Sequence, residues 1–221
     1  MTLQLRPTDA LLVIDMQRDF LPSTPEYSSA LAVAGGDAIL PGINTLAARF
    51  DHVVLTQDWH PRAHISFASA HPGKHPFTGT VATPYGTQTL WPDHCIQNTP
   101  GAELDPRLQI PRAELILRKG FRKDIDSYSA FLENDHTTPT GLAGYLRERN
   151  LTRHFFCGLA YDFCVGFSAL DGAALGFECL VLEDLSRAVA LPSTNTHSGS
   201  VDRTNACFAA AKIQRISSLD L

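Results

Sequence analysis

Cys164 stands in GLAYDFCVGFSALDG, where the apolar run HFFCG gives way to a segment with helical periodicity. A thiol at a helix N-terminus faces the positive end of the helix dipole and free N–H groups, which lower its pKa and can hold an oxyanion. The commoner fate of a cysteine is burial as a small hydrophobe, and Cys157 and Cys179 fit that description. Cys164 does not, because it lies outside an apolar run at a strand–helix junction. Asp15 closes the apolar stretch LLVID, and Lys119 closes ELILRK. Taken singly, each has a plain structural reading, as a turn cap and as a solvated charge. Together, a carboxylate, an ammonium and a thiol make an activated nucleophile. The ammonium favours thiolate, and the carboxylate takes up and returns the proton.

Asp58 and His60 lie two apart in an extended segment, so both side chains point to the same side. Six of the nine histidines fall between 52 and 94: His52, His60, His64, His71, His75 and His94. That enrichment suits a metal site with open positions, catalytic or substrate-binding rather than closed and structural. His71 and His75 read equally well as exposed loop residues. Phe20, Trp91 and Tyr128 either line a flat aromatic slot or belong to the core.

These groups need a scaffold to bring them together. Short β-rich apolar runs recur at 10–15, 52–57, 114–119, 153–158 and 178–183, with a weaker one at 214–217. Between most of them lie segments of helical periodicity, at 35–50, 141–149, 164–175 and 200–212, and Gly176 marks a helix stop. Such alternation predicts one three-layer α/β/α domain over residues 1–221, with a mostly parallel sheet of about six strands. Ligands in such sheets sit beyond the carboxyl ends of the strands. Asp15, Asp58, Lys119 and Cys164 all fall there. Residues 60–114 hold eight of the fourteen prolines, together with Phe67, Phe77, Trp91 and several histidines. A long Pro-rich excursion of this kind predicts an ordered cap over a site.

Composition narrows the function further. Of 221 residues, 44 % are hydrophobic and 19 % charged, which excludes a disordered chain. Eighteen basic against 23 acidic residues give a net charge of −5 with no basic run, so nucleic acid and anionic membranes are not expected partners. The N-terminal MTLQLRP is no signal peptide, and no apolar run is long enough to span a bilayer. Five cysteines at irregular spacing, with no CxxC, argue against a disulfide framework and for reduced thiols in the cytoplasm. No Gly-rich nucleotide-binding loop occurs.

DALLVIDMQRDF, LTQDWHPRAHISFA, WPDHC, RKGF and GLAYDFCV, in that order, resemble the nicotinamidases (pyrazinamidases) of the isochorismatase-like cysteine hydrolase superfamily. The resemblance implies the corresponding fold and hydrolysis of nicotinamide, and of pyrazinamide, to the acid and ammonia through a Cys thioester. That is a step in NAD salvage. It makes Cys164 the nucleophile, Asp15 the proton shuttle and Lys119 the group that orients Asp15 and stabilises thiolate. It makes Asp58, His60 and His94 ligands of one divalent transition ion, zinc first and iron or manganese as alternatives. His64 and His71 stand as candidates for an additional ligand. Phe20, Trp91 and Tyr128 would sandwich the pyridine. A cis Leu159–Ala160 bond would turn the Ala160 N–H to join that of Cys164 in an oxyanion hole, with Ala160 also at the substrate. Homo-oligomer formation is left open. The loop LPSTPEYSSALAV and Tyr161 depart from the pattern at the pocket rim. Two rivals are another small-amide hydrolase, for a carbamoyl or ureido substrate, and a non-catalytic binding protein. The metal motif with Trp91 weighs against the first, and the complete Asp15–Lys119–Cys164 set against the second.

Overall fold

The computed structural model describes residues 3–194 and 198–221. Six strands form the main sheet: β1 (Asp9–Ile14), β2 (His52–Asp58), β5 (Leu115–Lys119), β6 (Arg153–Leu159), β7 (Glu178–Arg187) and β8 (Gln214–Ile216). Their order is β5-β2-β1-β6-β7-β8, and every pairing is parallel. Parallel strands covered on both faces read as continuous apolar runs, and β1 is buried at all six positions. Leu11 and Val13 face one core with α1 (Leu40–Ala47). Ala10, Leu12 and Ile14 face the other, with α2 (Leu142–Glu148), α3 (Cys164–Ala174) and α4 (Ser200–Ala211). The expected three-layer arrangement is present. Among the described residues no helix is long and apolar enough to cross a membrane.

The chain builds outward from β1 through β2 to β5, then returns to β6 on the other side of β1. A crevice opens at such a switch point beyond the strand ends, and Asp15 and Cys164 follow the two strands that flank it. Register does the rest. Asp58 lies opposite Lys119 in the β2–β5 ladder, and Ile14 lies opposite Gly158 in the β1–β6 ladder.

Some bounds differ from the sequence expectation. The helix expected over 35–50 is a 3-10 turn (Asp37–Ile39) followed by the shorter α1, whose first turn carries Pro41. Strand β7 runs on to Arg187. Exposed Glu183 and Asp184 interrupt its apolar pattern where its register with β6 shifts, so the strand reads as ending early. Within the 60–114 excursion a hairpin forms from β3 (Thr80–Thr83) and β4 (Gly86–Thr89). Its threonine-rich strands leave little apolar signal around a Pro84–Tyr85 turn. Residues 120–140, between β5 and α2, form a second excursion without helix or strand.

Gly158 has φ +109, and a Cβ there would lie 2.2 Å from the carbonyl oxygen of Ile14. The two strands that deliver Asp15 and Cys164 can approach only because this side chain is missing. Gly158→Ala is expected to cost at least about 2 kcal/mol in urea unfolding. An unchanged unfolding midpoint would contradict this account of the sheet.

Candidate active site

Lys119 is fully buried, and its ammonium is where the strand-end groups meet. Nζ lies 2.8 Å from Asp15 Oδ2. It donates to Asp58 Oδ1 through a short contact, to Ser127 O at 3.0 Å and to Cys164 Sγ at 3.3 Å. Burial opposes the Lys119 charge, but Asp15, Asp58 and Cys164 outweigh it and hold its pKa well above the usual lysine value. The ammonium has three protons for four acceptors. One acceptor, Asp15 Oδ2, is left without an aligned donor.

Asp15 is fixed by Thr56, whose hydroxyl donates to Oδ1 at 2.5 Å and accepts from the Asp15 N–H at 3.1 Å. Its backbone adopts φ +48, unusual for a residue other than glycine, and so bends the chain at the end of β1. Burial raises the Asp15 pKa although Lys119 pulls it down. Burial also acts on Cys164. Its thiol is pushed well above the ordinary range despite Lys119 beside it, and the Asp15 and Asp58 carboxylates push it further. This corrects the sequence expectation. The helix start and the ammonium do not outweigh desolvation and two negative neighbours, so the resting nucleophile is a thiol. It needs a base, and one oxygen each of Asp15 and Asp58 lies with Sγ in a group whose members are all within 4.8 Å of one another.

Cys164 opens α3, and the Leu159–Ala160 peptide is cis, as the resemblance implied. Phe163 and Val165 donate to Ala160 O. Among the described residues the Ala160 and Cys164 N–H groups donate to no other backbone group.

Asp58 has a second face. Its Oδ2 lies 3.5 Å from His60 Nε2 and 3.8 Å from His94 Nε2. Burial would raise Asp58, but Lys119 and His60 hold its pKa well below the usual value. His60 Nδ1 lies 2.9 Å from Gly120 O, and His94 Nδ1 lies 2.7 Å from Pro92 O. A carbonyl only accepts, so both Nδ1 atoms carry a proton and it is the Nε2 atoms that face Asp58. One oxygen and two imidazole nitrogens converging this way fit a divalent transition ion. Gly120 explains the RKGF motif. At φ +63, its Cβ would come 2.5 Å from His60 Cε1.

His64 does not join that set. Its Nδ1 is 2.7 Å from Ser66 Oγ and its Nε2 is 3.1 Å from Ile125 O, so both nitrogens are engaged. Burial pushes its pKa down to about 4, which keeps it neutral. His71 Nε2 is likewise held, 2.7 Å from Ile65 O. His52 pairs with Glu114 at 2.8 Å, far from the crevice.

Above these groups lies a pocket of roughly 400 Å³, mouth included, lined by Phe20, Trp91, Tyr128 and Ala160, with Asp58, His94 and Cys164 also on its wall. The aromatic slot is thus brought together. Trp91 Nε1 donates to Tyr128 Oη at 2.9 Å, as does Gln88 Nε2 at 2.8 Å, so two walls of the slot lock each other. Leu31 and Val33 line it from the loop expected at the pocket rim, and Phe163, Asp126 and Val189, which sequence reasoning missed, line it as well. The available signal was the place of Phe163 immediately before the candidate nucleophile at the start of α3.

The isochorismatase domain family profile matches residues 9–212. The chain is 48 % identical over 212 residues to the nicotinamidase of Acinetobacter baylyi, covering 96 % of this chain and 94 % of that protein. It superposes with a TM-score of 0.90 on an Acinetobacter baumanii nicotinamidase pyrazinamidease at 49 % identity, covering 98 % and 99 % of the two chains. PnC1 from L. infantum, solved in complex with nicotinate, matches at a TM-score of 0.82 and 38 % identity over 100 % and 98 %.

Since burial keeps the thiol protonated, alkylation of Cys164 by iodoacetamide, followed by mass spectrometry of the peptide, should be slow near neutral pH. It should accelerate only above the ordinary thiol range. Fast alkylation at neutral pH would reveal a resting thiolate.

Proposed function

The chain belongs to the isochorismatase family, and on that premise we propose a nicotinamidase that works through Asp15, Lys119 and Cys164. The observation that carries this reading is one buried ammonium touching a carboxylate pair and a thiol at the foot of an aromatic pocket.

Nicotinamide enters with its ring against Phe20, Trp91 and Tyr128 and its carboxamide at Sγ. Asp15, whose Oδ2 is free of an aligned donor, takes the thiol proton as sulfur attacks the carboxamide carbon. Lys119 balances the charge that moves between the two groups. The oxyanion falls to the Ala160 and Cys164 N–H groups at the start of α3. Asp15 then returns the proton to the amide nitrogen, the C–N bond breaks, and ammonia leaves with the acyl group on sulfur. Water attacks the thioester with Asp15 as base. Nicotinate departs as the Cys164 proton is restored. Pyrazinamide, with the same flat ring and carboxamide, follows the same course. Nicotinate so released serves NAD salvage. Five cysteines, none in a disulfide, suit a reducing, cytoplasmic setting.

Asp58, His60 and His94 would hold a divalent transition ion, zinc first, which when bound supplies a Lewis-acidic docking point for the pyridine nitrogen. The carboxylate that binds it is the same one that anchors Lys119, so substrate position and nucleophile share a support.

Ammonia release from nicotinamide by the purified protein is the basic test. Cys164→Ala should leave under about 1 % of turnover, the residue of a lost covalent step, with the melting temperature little changed. Retained turnover would remove Cys164 from its role. Benzamide has the ring and the carboxamide but no ring nitrogen. It should lose about 10²-fold or more in kcat/KM, as sites built for a polar partner reject analogues lacking it. Equal rates on both amides would mean that the ring nitrogen is not recognised.

A further inference from the structure

Asp126 takes part in no step of that chemistry, yet it is 2 % exposed and lines the same pocket as Asp58 and His94. Its Oδ1 accepts the Ser127 N–H at 2.7 Å and lies 4.0 Å from His60 Nε2. Its Oδ2 has only a long bond, 3.4 Å, from Gln88. Among the described residues no lysine or arginine lies within ion-pair distance of it; its one such neighbour is His60. His60 therefore sits between two carboxylates, with Asp58 Oδ2 at 3.5 Å on the other side.

Three carboxyl groups, those of Asp15, Asp58 and Asp126, are buried in this crevice against one ammonium, that of Lys119. A divalent cation between Asp58 and Asp126 would meet the two that flank His60. Ligand atoms of Asp126 and His60 lie within 4.8 Å of each other.

We propose that Asp126 is the second carboxylate of the metal centre, facing the ion held by Asp58, His60 and His94 and completing its charge balance. This rests on the metal reading above. The position is built rather than incidental. Asn134 N–H donates to Asp126 O at 2.8 Å, and Asn134 Nδ2 donates to Gln88 Oε1 at 3.0 Å, so the loop that carries Asp126 is tied to the hairpin strand β4.

The test uses full-length protein stripped with a chelator and titrated with Zn²⁺ against a chromophoric competitor, with thermal melting followed before and after loading. Asp126→Asn keeps the Oδ1 acceptor for Ser127 and removes only the charge. It should lower Zn²⁺ affinity about 10- to 100-fold. Its metal-free melting temperature should equal or exceed that of the wild type, because an uncompensated buried charge is gone. Asp126→Ala should lower Zn²⁺ affinity likewise, with a lower metal-free melting temperature because the Ser127 N–H loses its acceptor. Unchanged Zn²⁺ affinity in both variants, while Asp58→Asn loses it, would overturn the inference and leave the metal reading standing. Failure of both variants to fold, with or without Zn²⁺, would overturn it in favour of a structural role. A wild-type protein that binds no Zn²⁺ would overturn both.

Discussion

A single buried ammonium holds this crevice together. Lys119 touches Asp15, Asp58 and Cys164 in a space with no room for bulk water. Two carboxylates and a thiol that must give up its proton are costly neighbours in a low dielectric, where an uncompensated ion costs several kcal/mol. The ammonium makes the arrangement tenable and also tunes it. It pulls Asp58 far down, leaves Asp15 raised and does not bring Cys164 into the range of a resting thiolate. The proton therefore stays on sulfur until substrate arrives, and the raised carboxyl next to it is suited to exchange that proton. Acid–base chemistry of this kind works best when the two pKa values are drawn toward each other.

The same residue connects two halves of the site through Asp58. One oxygen of that carboxylate faces Lys119 and the other faces the imidazoles of His60 and His94. Nucleophile and proposed metal centre are thereby joined through one carboxylate at the end of β2, with His94 brought in by the loop after β4. The parallel register supplies the geometry. Asp58 and Lys119 are ladder partners, while Asp15 and Cys164 flank the point where the strand order reverses.

How much of this was legible depended on the range of the interactions involved. Strands buried on both faces announce themselves as apolar runs, so five of the six were readable nearly to their ends, and β7 was cut short where Glu183 and Asp184 break the run. Asp15, Asp58, Lys119 and Cys164 were readable because strand ends converge by topology. His64 could not be decided from spacing, since only the positions of Ser66 Oγ and Ile125 O reveal that both its nitrogens are engaged. Asp126 and Gln88 come from the two long excursions, and nothing local marks them. The thiol's protonation was misjudged for a related reason. A helix start is visible in sequence, whereas burial by distant segments is not.

The Lys119 charge is what allows the Asp15 carboxylate to be buried beside the nucleophile. A double-mutant cycle on unfolding free energy, with Lys119→Met, Asp15→Asn and the pair compared at equal metal content, tests it directly. Lys119→Met alone should cost about 3–5 kcal/mol, because it strands buried carboxylates. The double variant should be more stable than the sum of the single losses predicts, by roughly 1–3 kcal/mol of coupling. Strictly additive losses would mean that the two groups do not depend on each other, and the account of the crevice would be wrong.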